Sequence, residues 1–225
     1  MDKKYELMET DYDGFYRIKA LKDFQLITGD IVKKGDLGGL VDGEHNLSQE
    51  GNCWIEFEAR AFDNSIVSGN AVMKGDSWAY NNSIITGNAL LQARQHIQYS
   101  TVTTDLLGTK DWIGVLYAEL GVVPQNNKVI LYKRVWSTDD PDVFKSDYRQ
   151  NFLYKIGKIS RARNVDEDIF ESCARGLHFT SLEFVKNYGG DTIIECEVKI
   201  DDIVTVLNSK VRARKCKVLR IYKEE

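Results

Sequence analysis

Residues 47–94 divide without a gap into eight hexads: LSQEGN, CWIEFE, ARAFDN, SIVSGN, AVMKGD, SWAYNN, SIITGN and ALLQAR. The first place is small or apolar throughout (Leu47, Cys53, Ala59, Ser65, Ala71, Ser77, Ser83, Ala89). From the second hexad on, the third place is apolar (Ile55, Ala61, Val67, Met73, Ala79, Ile85, Leu91). The last two places gather turn residues, as in Gly69-Asn70, Gly75-Asp76, Asn81-Asn82 and Gly87-Asn88. A period of six with that polarity suits a short left-handed parallel β-helix. Three short strands make one triangular coil of about 18 residues, and each corner needs a residue that tolerates positive φ. One large and one small side chain per strand then point inward. A short antiparallel sheet is the structural alternative.

The second place of each hexad should face solvent, yet it holds Trp54, Ile66, Val72, Trp78, Ile84 and Leu90. Stacking every third hexad puts Trp54, Val72 and Leu90 on one face and Ile66 and Ile84 on another. An apolar stripe outside a solenoid calls for a cover. Either the chain's own flanks supply it or a neighbouring subunit does, so these six residues are the candidate oligomer interface and a homotrimer is the expected assembly. Fewer than three coils leave two open ends that must be capped. Residues 1–46 are the expected N-terminal cap, with FYRIKALKDFQLI as a strand or hairpin before a glycine-rich turn. Residues 95–126 are the expected connector: strand-like HIQYSTVTTDL, then one helix in TKDWIGVLYAELG. Thr109 caps that helix, Trp112, Val115, Leu116 and Leu120 form its apolar face, and Gly121 with Pro124 ends it.

The stretch from Ile18 to about Leu91 resembles the YdcK-type hexapeptide-repeat proteins and related phage and prophage proteins. The resemblance rests on Gly38, Gly39, Val41, Leu47, Ser48, Gly51, Cys53, Trp54 and Ile55. It implies a left-handed β-helix, often trimeric. Hexapeptide acyltransferases share the repeat, but they resemble longer prisms in which a histidine acts as general base. No hexad here contains histidine: His45 precedes the first and His96 follows the last.

From Asn127 to residue 225 the pattern reads as a small α+β domain with an antiparallel sheet. The order is a strand (KVILYKRVW), an acidic loop (STDDPDVFKSD), a strand pair (NFLYKIGKISRA), a short helix (VDEDIFESCA), the segment RGLHFTSLEFVKNYGG, then DTIIECEVKIDDIVTVL and KVRARKCKVLRIY. Thr180 and Glu183 can form a capping box for a helix through Phe184, Val185 and Tyr188. The order of LYK, GLHFTS, a tyrosine-ended helix and IIECEV is similar to a module of uncharacterised phage proteins. More distantly it resembles the ADP-ribosyltransferase core of the poly-ADP-ribose polymerase type. That resemblance matches Gly176-Leu177-His178-Phe179 to the family's GxYF-type strand and makes Tyr188 the stacking tyrosine. No glutamate stands in KVRARKCKVLRIY, where the catalytic acid belongs, so no catalytic residue is assigned. The candidate ligand site is Tyr132, Lys133, Arg134, His178 and Tyr188: rings to stack a base, cations to meet phosphate. The basic run from Lys210 to Lys223 alternates with apolar residues and reads as a charged edge strand.

Charge and cysteine content narrow the function classes. Residues 1–126 carry 11 basic and 18 acidic groups against 19 and 16 in residues 127–225. A surplus of three cations falls short of a nucleic-acid-binding domain, and nucleic acid is not the expected partner. Four cysteines without CxxC spacing and three scattered histidines predict no metal site, and no cofactor is expected. No secretory signal or membrane-length apolar run stands in the chain, which predicts a cytoplasmic protein, in the host cytosol if phage-encoded. The expectation is a non-enzymatic oligomeric phage-type binding protein that modulates a host process by sequestering a host protein or a nucleotide-like anion. A degenerate ADP-ribosyltransferase-like or acyltransferase enzyme is the alternative, and a structural assembly protein the second alternative.

Overall fold

The computed structural model describes residues 3–149 and 151–223 and divides into two compact units, Met1–Gly114 and Val115–Glu225. The chain is mainly β. The first unit opens with β1 (Tyr5–Glu9), β2 (Tyr16–Ala20), a small hairpin of β3 (Phe24–Gln25) and β4 (Ile31–Val32), and β5 (Leu37–Val41). A solenoid of two- and three-residue strands follows: β6 (Trp54–Ile55), β7 (Arg60–Ala61), β8 (Ile66–Val67), β9 (Val72–Met73), β10 (Trp78–Tyr80), β11 (Ile84–Ile85), β12 (Leu90–Leu91), β13 (His96–Gln98) and β14 (Thr101–Val102). Its three parallel faces are β5-β7-β10-β13, β8-β11-β14 and β6-β9-β12.

The pairing follows the hexad period. Trp54 lies opposite Val72, Val72 opposite Leu90, and Ile66 opposite Ile84. The first places of the hexads are buried from Leu47 through Ala89 and the third places from Ile55 through Leu91. Corners stack as well: Gly51, Gly69 and Gly87 all have positive φ, and a Cβ on Gly51 would stand 2.3 Å from the Gly69 carbonyl oxygen, so that column admits no side chain there. The solenoid is longer than the hexads, winding about four turns over residues 40–102 rather than fewer than three. β5 enters the ladder ahead of the repeat, and Ile97 and Val102 fill the core behind it. The leading edge is closed by the chain itself, because β5 pairs parallel to β7 on one side and antiparallel to β2 on the other. Buried Asn46 ties this lead-in to the next corner: its Oδ1 accepts from the Asp42 and Gly43 N–H groups, and its Nδ2 donates to the Asp63 and Ser65 carbonyls.

Helix α1 (Trp112–Leu120) starts two residues later than Thr109 would cap it. Asp111 accepts the Gly114 N–H at 3.0 Å, while the Thr109 hydroxyl donates to Asp105. Gly121, with positive φ, ends it.

The second unit carries β15 (Lys128–Ser137), β16 (Val143–Ser146), β17 (Leu153–Lys155), β18 (Ile159–Arg161), β19 (Leu177–Phe179), α2 (Leu182–Val185), β20 (Thr192–Lys199), β21 (Ile203–Leu207), β22 (Lys210–Ala213) and β23 (Lys215–Ile221). They form an antiparallel six-stranded sheet in the order β17-β16-β15-β20-β23-β18 and a three-stranded sheet β19-β22-β21. A bridge between Tyr132 and Thr180 joins the two.

Five sequence expectations are corrected by the second unit. The acidic segment after β15 contains a strand, β16. The arms of NFLYKIGKISRA do not pair with each other but end up as opposite edges of the larger sheet. VDEDIFESCA is not helical, because the Asp166 and Asp168 carboxylates accept the backbone N–H groups of Asp168 and Phe170 and hold the segment in turns. The basic run is two strands broken at Arg214, and neither is an edge: β22 is central in its sheet and β23 lies between β20 and β18. The expected capping box at Thr180 is also replaced. Its N–H and carbonyl pair with Tyr132 and its hydroxyl donates to Ser209, leaving Ser181 at the start of a single helical turn.

Candidate functional site

Strand alternation divides the five candidate ligand residues. On β15, Lys133 shares the inward face with buried Leu131 and Val135, whereas Tyr132 and Arg134 face the other way. Tyr132 meets Tyr222 edge-on at 5.4 Å. Arg134 donates to the carbonyls of Lys186 and Tyr188 at 3.0 and 3.2 Å, bracing the chain behind α2. Lys133 reaches through the sheet, passes 5.5 Å from the Tyr154 ring and donates to the His178 carbonyl at 3.1 Å. Burial lowers its pKa, and the neighbouring Cys196 and Cys216 thiols oppose that shift.

His178 lies directly opposite Arg212 in the β19–β22 ladder, and Lys210 follows on the same face two residues away. Lys210 donates to the Cys173 sulfur at 3.3 Å and sits 5.8 Å over the Tyr188 ring. The structure thus brings together Lys133, His178 and Tyr188, adds Lys210 and Arg212, and turns Tyr132 and Arg134 elsewhere. Burial first, then Lys133, Arg212 and Lys210, push the His178 pKa down to about 4, so the imidazole is neutral at pH 7. Burial raises the Tyr188 hydroxyl to about 12.

Arg212 is the unusual member. It is fully buried, beneath Gly176, where a Cβ would stand 2.6 Å from its Cγ. One Nη donates to the Asp168 carbonyl, while Nε and Nη1, like Nε2 of His178, have no hydrogen-bond partner among the described residues. The acidic turn over this face attracts Arg212 electrostatically. Three of its four carboxylates have other partners, since Glu167 pairs with Arg214 and Asp166 and Asp168 hold backbone N–H groups, and Glu171 is the fourth. A buried guanidinium edge, an unprotonated imidazole and two ammonium groups make a site suited to a compact anion. Sequence reading missed Lys210 and Arg212 because the basic run read as a solvated face. The usable signal was a basic residue at every second place of the strand that pairs with the His178 strand.

The six candidate interface residues also separate. Trp54 is 3% exposed and Val72 is buried. Phe24 of the β3–β4 hairpin packs edge-on against Trp54 at 5.5 Å, so the chain's own cap covers the first residue of that stripe. Trp78 stacks on His96 at 4.5 Å, beneath Arg60. Leu90 is half-buried, and Ile66 and Ile84 stay open at 43% and 38% exposure.

Comparison with known proteins divides the chain in the same way. Residues 115–223 match the family of Bacteriophage T4 protein rIIB. Over 55 residues, 24% of this chain, the sequence is 44% identical to the uncharacterized acetyltransferase YdcK of Escherichia coli (strain K12). The match spans only 15% of the length of that relative.

Proposed function

We propose that this chain, a β-solenoid joined to a module that matches a phage T4 protein family, is a non-enzymatic binding protein of the host cytosol that self-associates as a trimer and sequesters a nucleotide-like anion. The observation that carries the reading is the buried Arg212, with two N–H groups uncommitted, beside a neutral His178. Burying a guanidinium without full hydrogen bonding costs several kcal/mol, and an anionic ligand recovers part of that cost. Lys133 and Lys210 add charge, and Tyr188 offers a ring beside it. The open Ile66–Ile84 stripe is the surface on which copies associate.

Calorimetric titration of the full chain with ADP, ADP-ribose and inorganic phosphate tests the site. Binding of a phosphorylated ligand is expected, weakening at least tenfold in Lys210→Ala and in Arg212→Gln. Absence of binding by all three, or binding unchanged in both folded variants, would overturn the reading. Turnover of NAD or acetyl-CoA would replace it with the enzymatic one.

A further inference from the structure

We propose that the opening between β17 and β18 is a docking groove for an extended acidic segment of a partner protein, taken up as an added strand. This surface is distinct from the anion site and does not rest on it. The chain passes from β17 to β18 through only Ile156, Gly157 and Lys158, a connection short enough to zip a hairpin. The arms do not zip, because each is tied to something else. Among the described residues β17 pairs only with β16 and β18 only with β23. One bond crosses the turn, Lys158 donating to Lys155, and the rest tie it outward: Ile156 donates to Asp142, Gly157 to Val218, and Val218 back to Lys158. Beyond that turn the two strands border a groove of about 690 Å³, and among the described residues neither has a second ladder partner.

The lining selects the occupant. Arg149, Lys155, Lys158, Arg161 and Arg163 border the groove, and no acidic residue does among the described residues. Among the described residues only Lys155 has an ion-pair partner, Asp140 at a long 3.9 Å. On each arm the outward positions alternate apolar and cationic. Leu153 and Lys155 flank buried Tyr154, and Ile159 and Arg161 flank buried Ser160. Leu153 and Ile159 are 52% and 58% exposed. A strand alternating apolar and acidic residues meets both arms through cross-strand pairs while its backbone satisfies the open edges. The cations also keep two such edges from pairing with each other, the usual hazard of an unpaired strand. A nucleic-acid strand would use the charges alone, leaving the ladder positions and both aliphatic side chains unmatched.

Fluorescence anisotropy with a labelled heptapeptide of alternating Glu and Val, added to the full chain, is the test. The comparators are the same peptide with its pairing amides N-methylated and a ten-residue oligo-dT. Binding is expected to weaken with salt and to fall at least tenfold both for the N-methylated peptide and for Lys158→Glu/Arg161→Glu. Those side chains are exposed, and an unchanged melting temperature shows that the variant folds. Absence of binding to the Glu-Val peptide overturns the proposal, as does equal binding of its N-methylated form. Tighter binding of oligo-dT replaces it with a phosphate-binding groove, and undiminished binding to the variant places the contact elsewhere.

Discussion

At the scale of single residues, the chemistry of this chain lies in a few groups held where they are expensive to hold. His178 has a folded-state pKa of about 4 against an ordinary 6.5, because burial and three cations oppose its proton. The unfolded state therefore binds a proton between those values and the folded state does not. Stability is full above about pH 6.5 and declines by roughly 3 kcal/mol as pH falls to about 4. Urea midpoints measured from pH 7.5 to 4 should show this decline, and His178→Gln should flatten that part of it; an equally steep profile in the variant would move the cause to other groups. A second prediction concerns the solenoid core, where the Ser65, Ser77 and Ser83 hydroxyls are buried without a hydrogen-bond partner among the described residues. Replacing Ser65 or Ser83 with alanine removes an unsatisfied polar atom and keeps the small volume, so each should raise stability by about 1 kcal/mol in chemical denaturation. The small first places of the hexads were readable from the sequence. Arg212 was not, since nothing local distinguishes a buried arginine on a central strand from an exposed one on an edge.

At the scale of elements, neighbours decide the fate of each apolar stripe and each strand. The β3–β4 hairpin covers Trp54 through Phe24, which turns the first residue of one outward column of the solenoid into core. Trp54→Ala should therefore cost about 3–5 kcal/mol of unfolding free energy. Ile66→Ala should cost less than about 1 kcal/mol within a single chain, because its side chain is open. Denaturant titration of the two variants at low concentration makes the comparison, and equal losses would show that the hairpin does not protect Trp54. The same dependence explains the misread segment NFLYKIGKISRA. Its two strands and the turn between them are legible, but β17 folds back onto β16 just before it, whereas β18 takes the distant β23 as its partner.

For the molecule as a whole, a solenoid and an antiparallel module share one chain, and each unit leaves one feature that looks outward. Native mass spectrometry should find a trimer that shifts to smaller species in Ile66→Glu/Ile84→Glu; an unchanged mass distribution would remove that stripe from the interface. By itself the sequence determined the solenoid, its outward columns and the presence of a β-rich second unit. A period of six with turn residues at its corners is a local pattern that repeats its constraint at every coil. Only the tertiary structure decided which column is covered, that β22 is central, that His178 lies opposite Arg212 with Lys133 on its carbonyl while Tyr132 and Arg134 turn away, and that β17 and β18 do not form a ladder. The physical reason is range. Corner and core preferences act within one coil, whereas the pairing of antiparallel strands, the burial of a charge and the covering of a stripe depend on contacts between segments that are distant in sequence.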